Sequence, residues 1–175
     1  MDQVFISYSH KDLSYVEKLA QAIEAEGFAT WTDNHIRGGE NWLKTLKKRI
    51  NLCACVVVVM SPDAEDSTWV SEELAQAHKK GKTIVPLLIA GEGPIFSLNS
   101  LHCFDIREEK MPEVDFYDKL RENQRQNEQE MLRKTAALNA LIDRNKTAYL
   151  CTRCHFPVEY NSLTVAAMTC LFGLP

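Results

Sequence analysis

Short apolar runs alternate along the chain with stretches in which apolar residues recur every three or four positions. Val4-Phe5-Ile6-Ser7-Tyr8, Phe28-Ala29-Thr30-Trp31-Thr32, Val56 to Met60 and Thr83 to Ile89 have strand character, and Leu101 to Ile106 adds a short fifth strand for the sheet edge. Between them, Leu13, Val16, Leu19, Ala20 and Ile23 share one helical face, and Gly27 stops that helix. A second helix opens at Trp42 and runs through Leu43, Leu46 and Ile50; a third, capped by Ser67 or Thr68, carries Val70, Leu74 and Ala77 and ends near Gly81. Val56-Val57-Val58-Val59-Met60 is apolar on both faces, as in a strand covered by helices on either side. Strand and helix alternation with short connections predicts right-handed crossovers and a doubly wound parallel α/β sheet with this strand at its centre.

From Asp115 the pattern becomes one long helical stretch, and a boundary near Gln124 divides a domain at 1–124 from a helical extension and small appendage at 125–175. Met131, Leu132, Ala136, Leu138, Leu141 and Ile142 give the extension an apolar side that packs either within the chain or against another copy. A length of 175 residues suits one domain of ordinary size plus this appendage. The net charge of −4 comes from 20 basic and 24 acidic residues interspersed without long runs, which predicts neither a nucleic-acid surface nor a polybasic membrane patch. Leu163 to Leu174 is too short to span a bilayer, and the N-terminal MDQVFISYS lacks a basic region before a long apolar segment. Cys53 and Cys55 open a buried strand, where a disulfide between strand neighbours is not expected. A soluble protein of the reducing cytoplasm is the expectation. Cys151 and Cys154 have zinc-ligand spacing, with His155 and Cys170 nearby, but Gly173 stands where a partner for Cys170 belongs. These cysteines are expected to pack in the appendage without a metal.

On the third helix, at about 100° per residue, Glu73 falls on the edge of the sheet-facing stripe beside Trp69, half-buried, while Glu72 points away. The helix begins just after the carboxyl end of the central strand, the side on which ligands collect in open α/β sheets. By itself Glu73 reads more readily as a solvated glutamate favoured in an N-terminal turn. A phosphorylated receiver domain shares the alternating architecture but needs an acidic pair after the first strand, where Ser7-Tyr8-Ser9 stands, and an aspartate where the central strand meets Ser61.

Several local patterns agree in order and spacing. They are Phe5-Ile6-Ser7-Tyr8-Ser9, Gly27-Phe28 before a strand ending at Asp33, the glycine loop ahead of Trp42, Ser61-Pro62 after the valine run, Trp69-Val70-Ser71-Glu72-Glu73, and Gly81-Lys82-Thr83-Ile84-Val85-Pro86. In these the chain resembles TIR domains, the family shared by Toll-like receptors, plant immune receptors and bacterial defence proteins, over residues 1–124. The resemblance implies a flavodoxin-like five-stranded parallel sheet. TIR domains divide into scaffolds that recruit other TIR domains and enzymes that cleave NAD+ between nicotinamide and ribose; in the latter a glutamate stands four residues after the tryptophan of the third helix, and Glu73 holds that position.

By the same resemblance, NAD+ is the substrate with no separate cofactor, and the products are nicotinamide and ADP-ribose or its cyclic form. The implied setting is defence signalling, such as innate immunity or antiphage defence, with activation by homo-oligomerisation. Tyr8, Ser9, His10 and Asp33 match positions lining the nucleotide cleft, although some enzymatic relatives carry arginines where Ser9 and His10 stand, and Ser9 alternatively caps the next helix. Trp42 and Trp69 match flanking aromatic positions that either stack on a base or simply pack. Arg37, Gly38, Gly39, Glu40 and Asn41 belong to the loop that joins neighbouring copies in the family. The alternative is a non-enzymatic adaptor acting through TIR–TIR contacts.

Overall fold

The computed structural model describes residues 3–33, 42–95, 98–108 and 110–148. Its elements in chain order are β1 (Gln3–Ser7), a 3-10 turn (His10–Asp12), α1 (Leu13–Ala25), β2 (Ala29–Trp31), α2 (Trp42–Leu52), β3 (Cys55–Met60), α3 (Pro62–Glu65), α4 (Thr68–Lys79), β4 (Thr83–Leu88), β5 (Phe104–Asp105) and α5 (Val114–Ala148). The five strands form one sheet in the order β2-β1-β3-β4-β5, and every pairing is parallel. This is the doubly wound, flavodoxin-like sheet, with β3 at its centre. All six residues of β3 are buried, as an apolar run on both faces requires.

Side chains alternate between two cores. On one face Val4, Ile6, Val57, Val59, Val85 and Leu87 pack with Val16, Leu19 and Ile23 of α1 and with Phe116 and Leu120 of α5. On the other, Phe5, Trp31, Val56, Val58 and Met60 pack with Leu46 and Ile50 of α2 and with Val70, Leu74 and Ala77 of α4. The register Ile6↔Val57↔Val85 sets the carboxyl ends of β1, β3 and β4 along a common edge.

Two elements differ from the sequence reading. The polar stretch after β3 contains a short helix, α3, in which Ser61 is the N-cap, its Oγ accepting from the Ala64 amide at 3.1 Å, and Pro62 occupies the first turn. The fifth strand is only Phe104–Asp105, paired with Leu87 and Leu88 at the end of β4. The third helix begins as expected, with Ser67 Oγ accepting from the Val70 amide at 3.4 Å.

The chain divides into two compact units, 1–127 and 128–175. In the first, the start of α5 contributes Phe116 and Leu120 to the core, and Asn127 Nδ2 donates to the Ala54 carbonyl at 2.7 Å. In the second, Met131, Leu132, Leu138, Leu141 and Ile142 are exposed. Cys151, Cys154, His155 and Cys170 lie outside the described residues. Among the described residues, no helix is long and apolar enough to cross a membrane, and no group of three or more His, Cys, Asp or Glu side chains is placed to hold a metal ion.

Truncating the central strand tests this packing. Val57 is fully buried, whereas Val114 is exposed. Val57→Ala should lower unfolding free energy by about 2–3 kcal/mol in urea titrations, through lost burial and a residual cavity, and Val114→Ala by less than about 0.5 kcal/mol. Equal effects would contradict the placement of β3.

Candidate functional site

The site is assembled at the carboxyl edge of the sheet, where β1 and β2 end and α4 passes its first two turns. Ser7, Tyr8 and Ser9 at the end of β1 are all buried. Ser7 Oγ donates to Glu73 Oε2 at 2.5 Å, joining the end of β1 to α4 across 66 residues of sequence. Asp33 follows β2, and its Oδ2 lies 2.8 Å from His10 Nε2, with the imidazole largely in solvent and the carboxylate nearly covered. Tyr8 packs beside His10, ring centroids 5.8 Å apart. Its hydroxyl is buried without a hydrogen bond of ordinary geometry among the described residues, and Asp33 Oδ1 is in the same condition. Burial first, then the neighbouring Asp33 and Glu73 carboxylates, raise the Tyr8 pKa well above its usual value.

Glu73 is only 4% exposed, deeper than the half-buried edge position that the helix wheel predicts. A helical side chain leans toward the N-terminal turn, here toward the strand ends, where Ser7 supplies a partner for a carboxyl group that could not otherwise be buried cheaply. Burial pushes its pKa up to about 8; the Ser7 hydrogen bond opposes that rise and the Asp33 charge adds to it. Glu72, its neighbour, is exposed. The carboxyl thus changes ionisation near neutral pH, as a group suited to acid-base or charge-stabilising chemistry does.

Trp42 and Trp69 meet edge-to-face, centroids 4.3 Å apart at 70°. Trp69 remains 48% exposed, so this pair leaves an aromatic surface in solvent one turn from Glu73. Ser9 acts as a cap: its Oγ accepts from the Lys11 amide at 3.4 Å at the start of the 3-10 turn, not from α1 itself. That turn is pinned to α3, since Ser61 Oγ donates to Asp12 Oδ2 at 2.6 Å and Lys11 Nζ pairs with Asp63 at 2.5 Å. Arg37, Gly38, Gly39, Glu40 and Asn41 lie outside the described residues.

Tyr8, His10, Asp33 and Glu73 are therefore gathered at one edge, and Trp42 and Trp69 pair with each other. The sequence reading missed the role of Ser7. The available signal was a hydroxyl in an otherwise apolar strand, at the strand's carboxyl end, where a buried polar group needs a partner.

A doubly wound parallel α/β domain with a buried glutamate at the carboxyl edge of its sheet is the class this geometry defines. Residues 4–121 match the TIR domain family, and the chain belongs to it. No curated protein matches the sequence. Among solved structures, the TIR domain of the Toll-related receptor TRR-2 from Hydra magnipapillata is similar over 58% of this chain and 82% of its own, with 22% identity and a TM-score of 0.54. A metazoan TIR-STING receptor from C. gigas, in complex with 2′,3′-cGAMP, is similar over 66% of this chain with 23% identity and a TM-score of 0.57. The chain spans 38% of that receptor's length. At these identities the likeness concerns the fold.

The buried carboxyl makes stability depend on pH. Folding raises the Glu73 pKa from 4.5 to about 8, so the folded protein binds a proton more tightly than the unfolded chain. The contribution of this group is fully favourable below the unfolded value and is lost as pH rises through about 8. Glu73→Gln cannot ionise, so its melting temperature should exceed that of the wild type by about 5 °C or more at about pH 8.5, with the gap shrinking toward about pH 5. Calorimetry showing a pH-independent gap would contradict the burial of this carboxyl.

Proposed function

We propose that the chain is an NAD+ glycohydrolase in which Glu73 is the catalytic carboxylate. The observation carrying this reading is a glutamate, four residues after Trp69, held at the carboxyl edge of the sheet by Ser7 and raised in pKa to about 8. Cleavage breaks the bond between ribose C1′ and the nicotinamide nitrogen. The bonding pair leaves with nicotinamide, which departs neutral, and positive charge develops on the ribose ring as an oxocarbenium-like centre. No general acid is needed for that departure. An anionic Glu73 in a water-poor setting stabilises the developing charge far better than a solvated carboxylate would. Water, or a nucleophile within the same molecule, then attacks C1′ to give ADP-ribose or a cyclic product.

Asp33 and the Tyr8 hydroxyl present polar atoms to the same region and suit ribose hydroxyls; the Trp42–Trp69 pair suits a flat base. NAD+ serves as substrate, with no further cofactor. Self-association through the loop from Arg37 to Asn41 completes the site, in a cytoplasmic defence response. A second reading, an adaptor that recruits other TIR domains without turnover, is favoured by one observation: at 4% exposure, Glu73 is closed to solvent in this conformation.

Nicotinamide release from NAD+ separates the two. Glu73→Gln should lose about a hundredfold or more in rate while the exposed Glu72→Gln stays near wild type, both variants being folded by circular dichroism. Because the reactive form is the anion, kcat/KM should rise with pH through a midpoint near 8. Activity per molecule should also climb with protein concentration. Full activity in Glu73→Gln would overturn the hydrolase reading, and a wild type with no release at any concentration would favour the adaptor.

A further inference from the structure

We propose that Ser7 is a positioning residue of this site, fixing the Glu73 carboxylate with Oε2 engaged and Oε1 left for the ligand; the proposal rests on the NAD+-cleavage reading above. Ser7 is fully buried at the last position of β1, where the parallel register sets it opposite Val58 of the central strand. Its Oγ is therefore carried on backbone paired with the buried central strand. Glu73 comes from a different element, α4, and carries three side-chain torsions that a bare apolar pocket would leave undirected. The 2.5 Å bond to Oε2 removes that freedom, and among the described residues no hydrogen bond reaches Oε1. A carboxylate held by one oxygen on a rigid strand presents the other in a set direction, as stabilising a charge at one ribose carbon requires.

The same bond selects an ionisation state. A hydroxyl donating to a carboxylate favours the anion, so Ser7 works against the desolvation that keeps Glu73 protonated. Among the described residues, the charged group acting on Glu73 is Asp33, after β2, and the Tyr8 hydroxyl, just past β1, feels the Glu73 charge in turn. Asp33 disfavours the Glu73 anion, and Tyr8 stays neutral across the relevant range because its own pKa is raised. Ser7 is thus the one group among these that supports the reactive form. A serine serving only to fill space in the strand would leave the ionisation of Glu73 indifferent to its hydroxyl.

The test compares wild type, Ser7→Ala and Ser7→Thr by two readouts: titration of the Glu73 side-chain carbon by NMR, which needs no turnover, and the pH profile of kcat/KM for NAD+. Ser7→Ala loses one oxygen and keeps the strand's packing. Its Glu73 midpoint should move up by about one pH unit, and its kcat/KM at about pH 7 should fall roughly tenfold as the rising limb moves with it. Ser7→Thr retains the hydroxyl and should keep the wild-type midpoint. The proposal is overturned if Glu73 titrates at the same pH in Ser7→Ala and wild type, or if the variant's rate falls equally at every pH with the limb unmoved. Absence of nicotinamide release from the wild type would count against the hydrolase reading alone, and the NMR midpoint would still decide whether Ser7 holds Glu73.

Discussion

The parallel ladder that joins β3 to β1 on one side and β4 on the other is the constraint from which the rest of the molecule follows. β3 is buried along its whole length, so both of its faces need a cover. Helices α1 and the start of α5 supply one, α2 and α4 the other. Parallel pairing has a second consequence: neighbouring strands end on the same side. Ser7 and Tyr8, Asp33 beyond β2 and Ser61 therefore arrive at one edge from three separate stretches of sequence. The candidate site is a product of the strand direction.

Electrostatics at that edge oppose stability. Ionising Glu73 sets it against the neighbouring Asp33 carboxylate, and among the described residues the buried Tyr8 hydroxyl and Asp33 Oδ1 have no hydrogen bond of ordinary geometry. A protein selected for packing alone would place an apolar side chain at position 73, on a helix whose neighbouring Val70, Leu74 and Ala77 are buried. What remains is a set of polar groups whose partners are incomplete within the described residues. Polar ligand atoms would complete them, which is the sense in which the site is prepared. Around it the framework is firmly tied. Ser61 bonds Asp12, Lys11 pairs with Asp63, and Ser61 and Ser67 cap consecutive helices, so the segments after β1 and β3 are held by side chains of their own.

Much of the architecture was legible because it depends on local periodicity. The valine run of β3, the Ser67 cap and the Gly27 stop each carry their meaning within a few residues. The Ser61-Pro62 pair is also a local signal, a cap followed by proline in the first turn, and it marks α3 within a stretch that polarity alone reads as a loop. The length of β5 was not local, since it depends on where the returning chain meets Leu87 and Leu88 of β4.

By itself, then, the sequence determined the alternation of strand and helix, the doubly wound sheet and the central position of β3, while the spacing from Trp69 pointed to Glu73 only through the family resemblance. The former rest on side-chain periods and capping preferences that act over one or two turns of chain. Tertiary structure alone decided how deeply Glu73 is buried, that Ser7 is its partner, and that Asp33 stands near enough to alter its ionisation. Desolvation and hydrogen bonding act over a few ångströms of space, and residues 7, 33 and 73 come within that range only after the sheet has set its strands side by side.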